Sequence, residues 1–185
     1  MRIVIAGIVG AIAMFVWTSI AHIALPLGQI GFSQIPNEKP VLSAMQDSIG
    51  PRSGLFFFPW TDMKSSDAMA QVEAKMKVSP SGLLIYHPPG ASGMTAQMLV
   101  IELLKEVAVS LIAAFLLAQT ALATYGARAG FVSLMGLAAG LTTNVSYWNW
   151  YGFPSDYTLA YAGIDIIGYA VAALAIAGIL KRRRL

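Results

Sequence analysis

Apolar residues dominate this chain in four long runs, and the polar residues are gathered mainly between the first run and the second. The runs extend from Ile3 to Ala24, from Ala96 to Leu122, from Ala129 to Tyr147 and from Thr158 to Leu180. A helix needs about 20 apolar residues to cross a hydrocarbon core roughly 30 Å thick, and each run is close to that length. Four transmembrane helices are therefore expected: 3–24, 96–122, 129–147 and 158–180. The first could also be read as the core of a secretory signal ending near Ser19-Ile20-Ala21. At about 22 residues it is long for such a core, and we read it as a spanning helix.

The polar stretch 25–95 has a pattern of its own. Pro40 starts a short helix through Met45, and Ser65 or Ser66 caps a longer one from Asp67 to about Lys77. Two segments read as strands, Ser53-Gly54-Leu55-Phe56-Phe57-Phe58-Pro59 and Ser81-Gly82-Leu83-Leu84-Ile85-Tyr86-His87-Pro88, each opened by Ser-Gly and ended by proline. With a helix between them they form a candidate βαβ unit, in which the strands would be parallel with a right-handed crossover. The expected fold is an all-α membrane protein in one domain: a four-transmembrane-helix bundle with a small extracytoplasmic α/β region between helices 1 and 2.

Composition agrees with lipid as the main solvent. Hydrophobic residues make up 57% of the 185 and charged residues 11%, against roughly 25% charged in an average soluble domain. There is no cysteine, which excludes thiol relays and disulfides in the outside region. Much of the positive charge sits in Lys181 and Arg182 to Arg184, directly after an apolar run. We read it as a topology signal and not as a nucleic-acid site. Arg2, Arg128 and that tail fall on one side of the expected bundle, so both termini are placed in the cytoplasm and the 25–95 region outside. The pattern suits a bacterial inner membrane. Gly126 and Arg128 mark the expected turn between helices 2 and 3, and residues 148–157 the outer connection between helices 3 and 4.

Polar residues inside the runs are informative because a charge at mid-membrane costs on the order of 3 kcal/mol. Glu102, Lys105 and Glu106 lie at helical spacing, so Lys105 can pair with Glu102 while Glu106 shares its face. At 1.5 Å per residue, Glu102, Glu106 and Asp165 lie roughly 8, 14 and 11 Å below the outer ends of their helices. His22 and Ser19 on helix 1 and Asn144 on helix 3 belong to the same leaflet half. These residues predict a polar cluster open to the outside. Three roles remain for it: an ion-paired register device, a pocket for a proton, ion or small polar ligand, or a metal site of His22, Glu102, Glu106 and Asp165. The last lacks the Glu-x-x-His spacing of carboxylate-bridged metal bundles. The two histidines, His22 and His87, give little basis for haem, and no cofactor is indicated. Asn144-Val145-Ser146 matches a glycosylation pattern, but at the end of an apolar run it carries no weight.

The run from Tyr147 to Pro154 has the composition of an interfacial aromatic belt. Trp148 and Trp150, with Trp17 and Trp60, could instead roof the cluster or form a docking surface. Gly136-x-x-x-Gly140, Gly163 and Gly168 allow close helix approach, within the bundle or against another subunit. A tryptophan late in the first helix, Trp17, and the pair Gly168-Tyr169 in the fourth resemble an uncharacterised family of bacterial four-helix integral membrane proteins carrying a domain of unknown function. The resemblance covers the first and last helices only. It implies the topology and supplies no activity.

No nucleophile elbow, phosphate-binding glycine loop, zinc spacing or dinucleotide fingerprint occurs. The sequence therefore points first to a non-catalytic accessory or structural subunit, with the bilayer and other membrane subunits as partners. A small carrier or receptor with an outward-facing polar pocket is the second reading, and an intramembrane metal or carboxylate enzyme the third.

Overall fold

A computed structural model describes residues 1–181; the basic residues Arg182 to Arg184 used above for orientation lie outside the described residues. The chain forms two compact units. One comprises Met1–Phe32 with the chain from Met94 onward, the other Ser33–Gly93.

The first unit is helical. Helix α1 (Arg2–Ser19) runs into a π-helical turn, Ile20–Ala24, and ends before Pro26. Helix α4 (Ala96–Ala118) starts where the Thr95 hydroxyl accepts the Met98 N–H at 3.2 Å. Helix α5 (Tyr125–Gly140) is capped in the same way by Thr124, continues through a second π-helical turn, Leu141–Val145, and passes into α6 (Ser146–Tyr151). Gly152, with φ of 71°, adopts the left-handed conformation that stops α6, and α7 (Ser155–Ile179) follows Pro154. Three segments, Arg2–Ala24, Tyr125–Tyr151 and Ser155–Ile179, are long and apolar enough to cross a membrane, as in a membrane protein. Helix α4 has 23 residues but carries Glu102, Lys105 and Glu106 near its middle.

Two connections of this unit differ from expectation. Gly126 and Arg128 lie in the first turn of α5, and the turn from α4 occupies residues 119–124, because Thr124 supplies the cap and the Arg128 side chain closes the turn. Its Nη1 donates to Ala123 O at 2.6 Å and its Nε to Ala177 O at 3.3 Å, and the residue is 7% exposed. The outer connection is also shorter than expected, since helix persists to Tyr151 and resumes at Ser155.

Helix α1 packs against α4 and α7, and α7 against α5, whereas α4 and α5 touch little. Their shared core is built from small side chains: Ala6, Ala113, Ala114, Ala129, Ala172 and Ala173 surround Val132 and Ile176. Without a hydrophobic drive between helices in lipid, close van der Waals approach carries association. Glycines make that approach possible. A Cβ on Gly7 would lie 2.9 Å from Leu111 Cα of α4, and one on Gly136 would lie 2.2 Å from Tyr169 Cβ of α7. Gly140 and Gly168 also face neighbours inside the bundle, while Gly163 has nothing within 4 Å.

The second unit holds α2 (Glu38–Ile49), β1 (Gly54–Phe58), α3 (Ala68–Met76) and β2 (Gly82–Tyr86). Its strands fall where the Ser-Gly and proline punctuation placed them. They are antiparallel, with Gly54 opposite Tyr86 and Phe58 opposite Gly82, which corrects the parallel βαβ reading. The cause lies in the connection. Lys75 near the end of α3 donates to Trp60 O at 2.6 Å, and Thr61 donates to Gln71 Oε1 at 2.6 Å. The excursion is thereby closed on itself, and the chain re-enters at the end of the sheet it left. Tyr86 OH donates to Gly50 O at 3.1 Å and tethers the sheet to the end of α2.

Candidate functional site

A cavity of about 610 Å³ lies among α1, α4, α5 and α7. Glu102, Lys105, Glu106, Asp165 and His22 all line it. The sequence expectation named those residues together with Asn144, which stands behind Asp165: its Nδ2 donates to Asp165 Oδ2 at 3.1 Å and to Gly140 O at 3.0 Å. Asn144 therefore orients the carboxylate from within the helix pair.

The α4 charges form a compact group. Lys105 Nζ lies 2.7 Å from Glu102 Oε1 and 3.2 Å from Glu106 Oε1. Lys105 is half-exposed, whereas Glu106 is 2% exposed. Thr18 Oγ1 of α1 stands 3.5 Å from Glu106 Oε1 and also donates to Met14 O at 2.9 Å. Glu106 Oε2 is buried with no hydrogen-bond partner, and so is Ser110 Oγ one turn further along α4. Leaving a buried acceptor unmatched costs about 1–3 kcal/mol, more where it is charged. Such an oxygen, on a residue that lines the cavity, stands out against the general satisfaction of buried polar groups.

Both π-helical turns lie at this site, and side chains explain them. Ser19 donates to Phe15 O, Thr18 to Met14 O and His22 Nδ1 to Thr18 O; in the second turn Thr142 donates to Ala138 O and Asn144 to Gly140 O. These side chains take carbonyls that the regular ladder would use, which favours a wider local turn. Turns of this type recur at functional sites. Here they carry His22 and Asn144.

Beyond the cavity an aromatic series continues. Tyr161 stacks on Tyr157 at 4.2 Å, and Phe153 lies 5.1 Å from Tyr157 and 5.4 Å from Tyr147. Tyr161 meets His22 edge-on at 6.0 Å and donates its hydroxyl to Gly28 O at 3.0 Å. Of the tryptophans, Trp17 donates from Nε1 to Ile164 O at 2.9 Å and joins α1 to α7. Trp148 donates to Ser155 Oγ at 3.1 Å, and Trp150 is 78% exposed. Neither lines the cavity, so they do not roof it. Trp60 belongs to the Ser33–Gly93 unit, where its carbonyl receives Lys75.

Sequence reasoning missed Thr18, Tyr161 and Tyr169 as lining residues. The signal was available: Tyr161, Asp165 and Tyr169 recur every four residues along one face of α7, as Thr18 and His22 do on α1. Among the described residues no three His, Asp or Glu side chains are grouped so that they could hold a metal ion. No protein-family model matches this sequence, and no curated protein or solved structure matches it either.

Proposed function

We propose that this chain is a four-span integral membrane protein of the bacterial inner membrane type that binds a small polar or amphipathic molecule in the cavity, as a carrier or receptor. In this reading α4 is the fourth span. Its charged residues turn toward the cavity and toward each other, while Val100, Leu103, Leu104, Ile112, Phe115 and Leu116 present an apolar surface. Both termini lie in the cytoplasm, supported by Arg2, Arg128 and the basic tail. The observation that carries the functional reading is a largely apolar cavity of about 610 Å³ into which Glu102, Lys105, Glu106 and Asp165 are gathered as lining residues. Pockets for small molecules fall in the range of roughly 300–1,000 Å³ and combine apolar walls with a few placed polar groups.

The test is native mass spectrometry of the protein released from its own membrane. Wild type is expected to retain a small molecule that Glu106→Gln loses while remaining folded. If both carry the same complement of bound small molecules, the reading fails. The accessory-subunit reading has separate support in the exposed Trp150, Tyr151 and Leu159 at one end of the helical unit; a stoichiometric protein companion in the same experiment would favour it.

A further inference from the structure

We infer that the cavity takes an organic cation, a primary or secondary ammonium on a compact apolar body, held by the carboxylates of Glu102, Glu106 and Asp165. This deepens the binding reading and rests on it. Charge comes first. Glu102, Glu106 and Asp165 face the cavity against a single ammonium, Lys105, and that ammonium is already committed to two of the carboxylates. With all four ionised, two negative charges are left over in a site whose walls are mostly apolar. An anionic ligand would meet this excess. A neutral one would leave it unmatched.

Hydrogen bonding narrows the class. The three carboxylates that line the cavity are acceptors only when ionised, so a ligand that pairs with them must bring an N–H or O–H. A quaternary ammonium brings charge without a donor, and an alcohol a donor without charge. A protonated amine supplies both in one short charge-assisted bond. A bare metal ion is the poorer fit, because among the described residues no three metal-ligating side chains are grouped. The rest of the wall suits an apolar body. Met14, Met98, Val109 and Ile164 are flexible or aliphatic, and Phe15 and Tyr169 add aromatic rings of the kind that attract cations. Asp165, held by Asn144, supplies a second negative charge from α7.

The experiment is calorimetric titration of the full chain in phosphatidylcholine nanodiscs, with empty nanodiscs as the blank. Three probes share one body: cyclohexylamine, cyclohexanol and cyclohexanecarboxylate. Cyclohexylamine is expected to bind at least about tenfold more tightly than cyclohexanol, with the carboxylate weakest, and Glu106→Gln should erase the preference. Should that variant fail to fold, Asp165→Asn is read instead and should narrow the amine preference. Equal binding of amine and alcohol, or tightest binding of the carboxylate, overturns the cation assignment and leaves the cavity reading standing. A preference for the amine that survives both substitutions also overturns it. No binding of any probe at millimolar concentration overturns the assignment and the cavity reading together.

Discussion

Gly136 offers the most direct test of how the helices meet. A Cβ built there lies 2.2 Å from Tyr169 Cβ and 2.5 Å from its Cγ, whereas ordinary contact begins at 3.4 Å. The atoms in the way belong to the root of the tyrosine side chain, which a change of rotamer does not remove. Gly136→Ala therefore requires α5 and α7 to separate by about an ångström or to shear, and overpacking of this sort costs about 1–3 kcal/mol. Gly130 lies on the same helix with nothing within 4 Å, so Gly130→Ala should be neutral or gain up to about 0.5–1 kcal/mol from the reduced flexibility of the unfolded chain. The two alanines should then differ by about 2 kcal/mol in equilibrium unfolding, measured in dodecylmaltoside micelles with increasing sodium dodecyl sulfate and followed by tryptophan fluorescence. If Gly136→Ala unfolds within about 0.5 kcal/mol of Gly130→Ala, the close approach is wrong. Because Tyr169 lines the cavity, Gly136→Ala should also weaken any ligand that the wild type binds there.

Other predictions reach different parts of the chain. Trp17→Phe removes the bond from Nε1 to Ile164 O and should cost about 0.5–1.5 kcal/mol in the same unfolding assay; no loss would mean that the contact does not join α1 to α7. In the Ser33–Gly93 unit, hydrogen bonds from Ser65 and then Gln71 hold the Asp67 carboxyl below its ordinary value of 3.8. A depressed folded value means that this stabilisation is complete above the unfolded value and is lost as pH falls through the folded one. Amide protection along α3 should therefore drop as pH falls below that ordinary value, and Asp67→Asn should lack that acid-dependent part; an unchanged acid profile would count against it. Since the sequence has no cysteine, single cysteines report topology cleanly. A membrane-impermeant maleimide should label Ser81→Cys in intact cells and Ala127→Cys only after lysis, and the reverse pattern would invert the proposed orientation.

What the sequence made legible follows from which physical rules are local. Long apolar runs located all four long helices to within a few residues, and Ser-Gly with proline located both strands. The spacing argument grouped His22, Glu102, Lys105, Glu106 and Asp165, and all five line one cavity, because residues at matching distances from the ends of packed helices come to the same level of the bundle. Side-chain capping set the boundaries that differed: nothing in the periodicity indicates that Thr124 starts α5 or that Arg128 folds back over Ala123. The strand direction was lost for a similar reason, since it follows from how the long connection between Phe58 and Gly82 returns to the sheet, which the local punctuation does not encode. The apolar count alone, finally, gives no sign of the two π-helical turns, which arise where hydroxyl, amide and imidazole groups compete for carbonyls.

Those turns and the alanine-rich core together account for why the bundle holds a cavity at one level and closes at another. Around Ala113, Ala114, Ala129, Ala173 and Ala177 the side chains are short, so backbones approach and the interior is filled by Val132 and Ile176. Toward Glu102 and His22 the lining residues are longer, with Phe15 and Tyr161 among them, while Met14 and Tyr169 reach from the core into the cavity wall. The wider turns that follow α1 and α5 contribute His22, Ile23 and Thr143 to the lining at that level. Longer lining residues at one level and an alanine seam at the other mean that enlarging the seam should loosen the cavity from a distance. Gly10 is the place to see it: a Cβ there would meet Ile176 Cγ1 at 2.7 Å, at the junction of α1 with α7. Gly10→Ala contributes no atom to the cavity wall, so any effect of that substitution on ligand binding must travel through the spacing of α1 and α7.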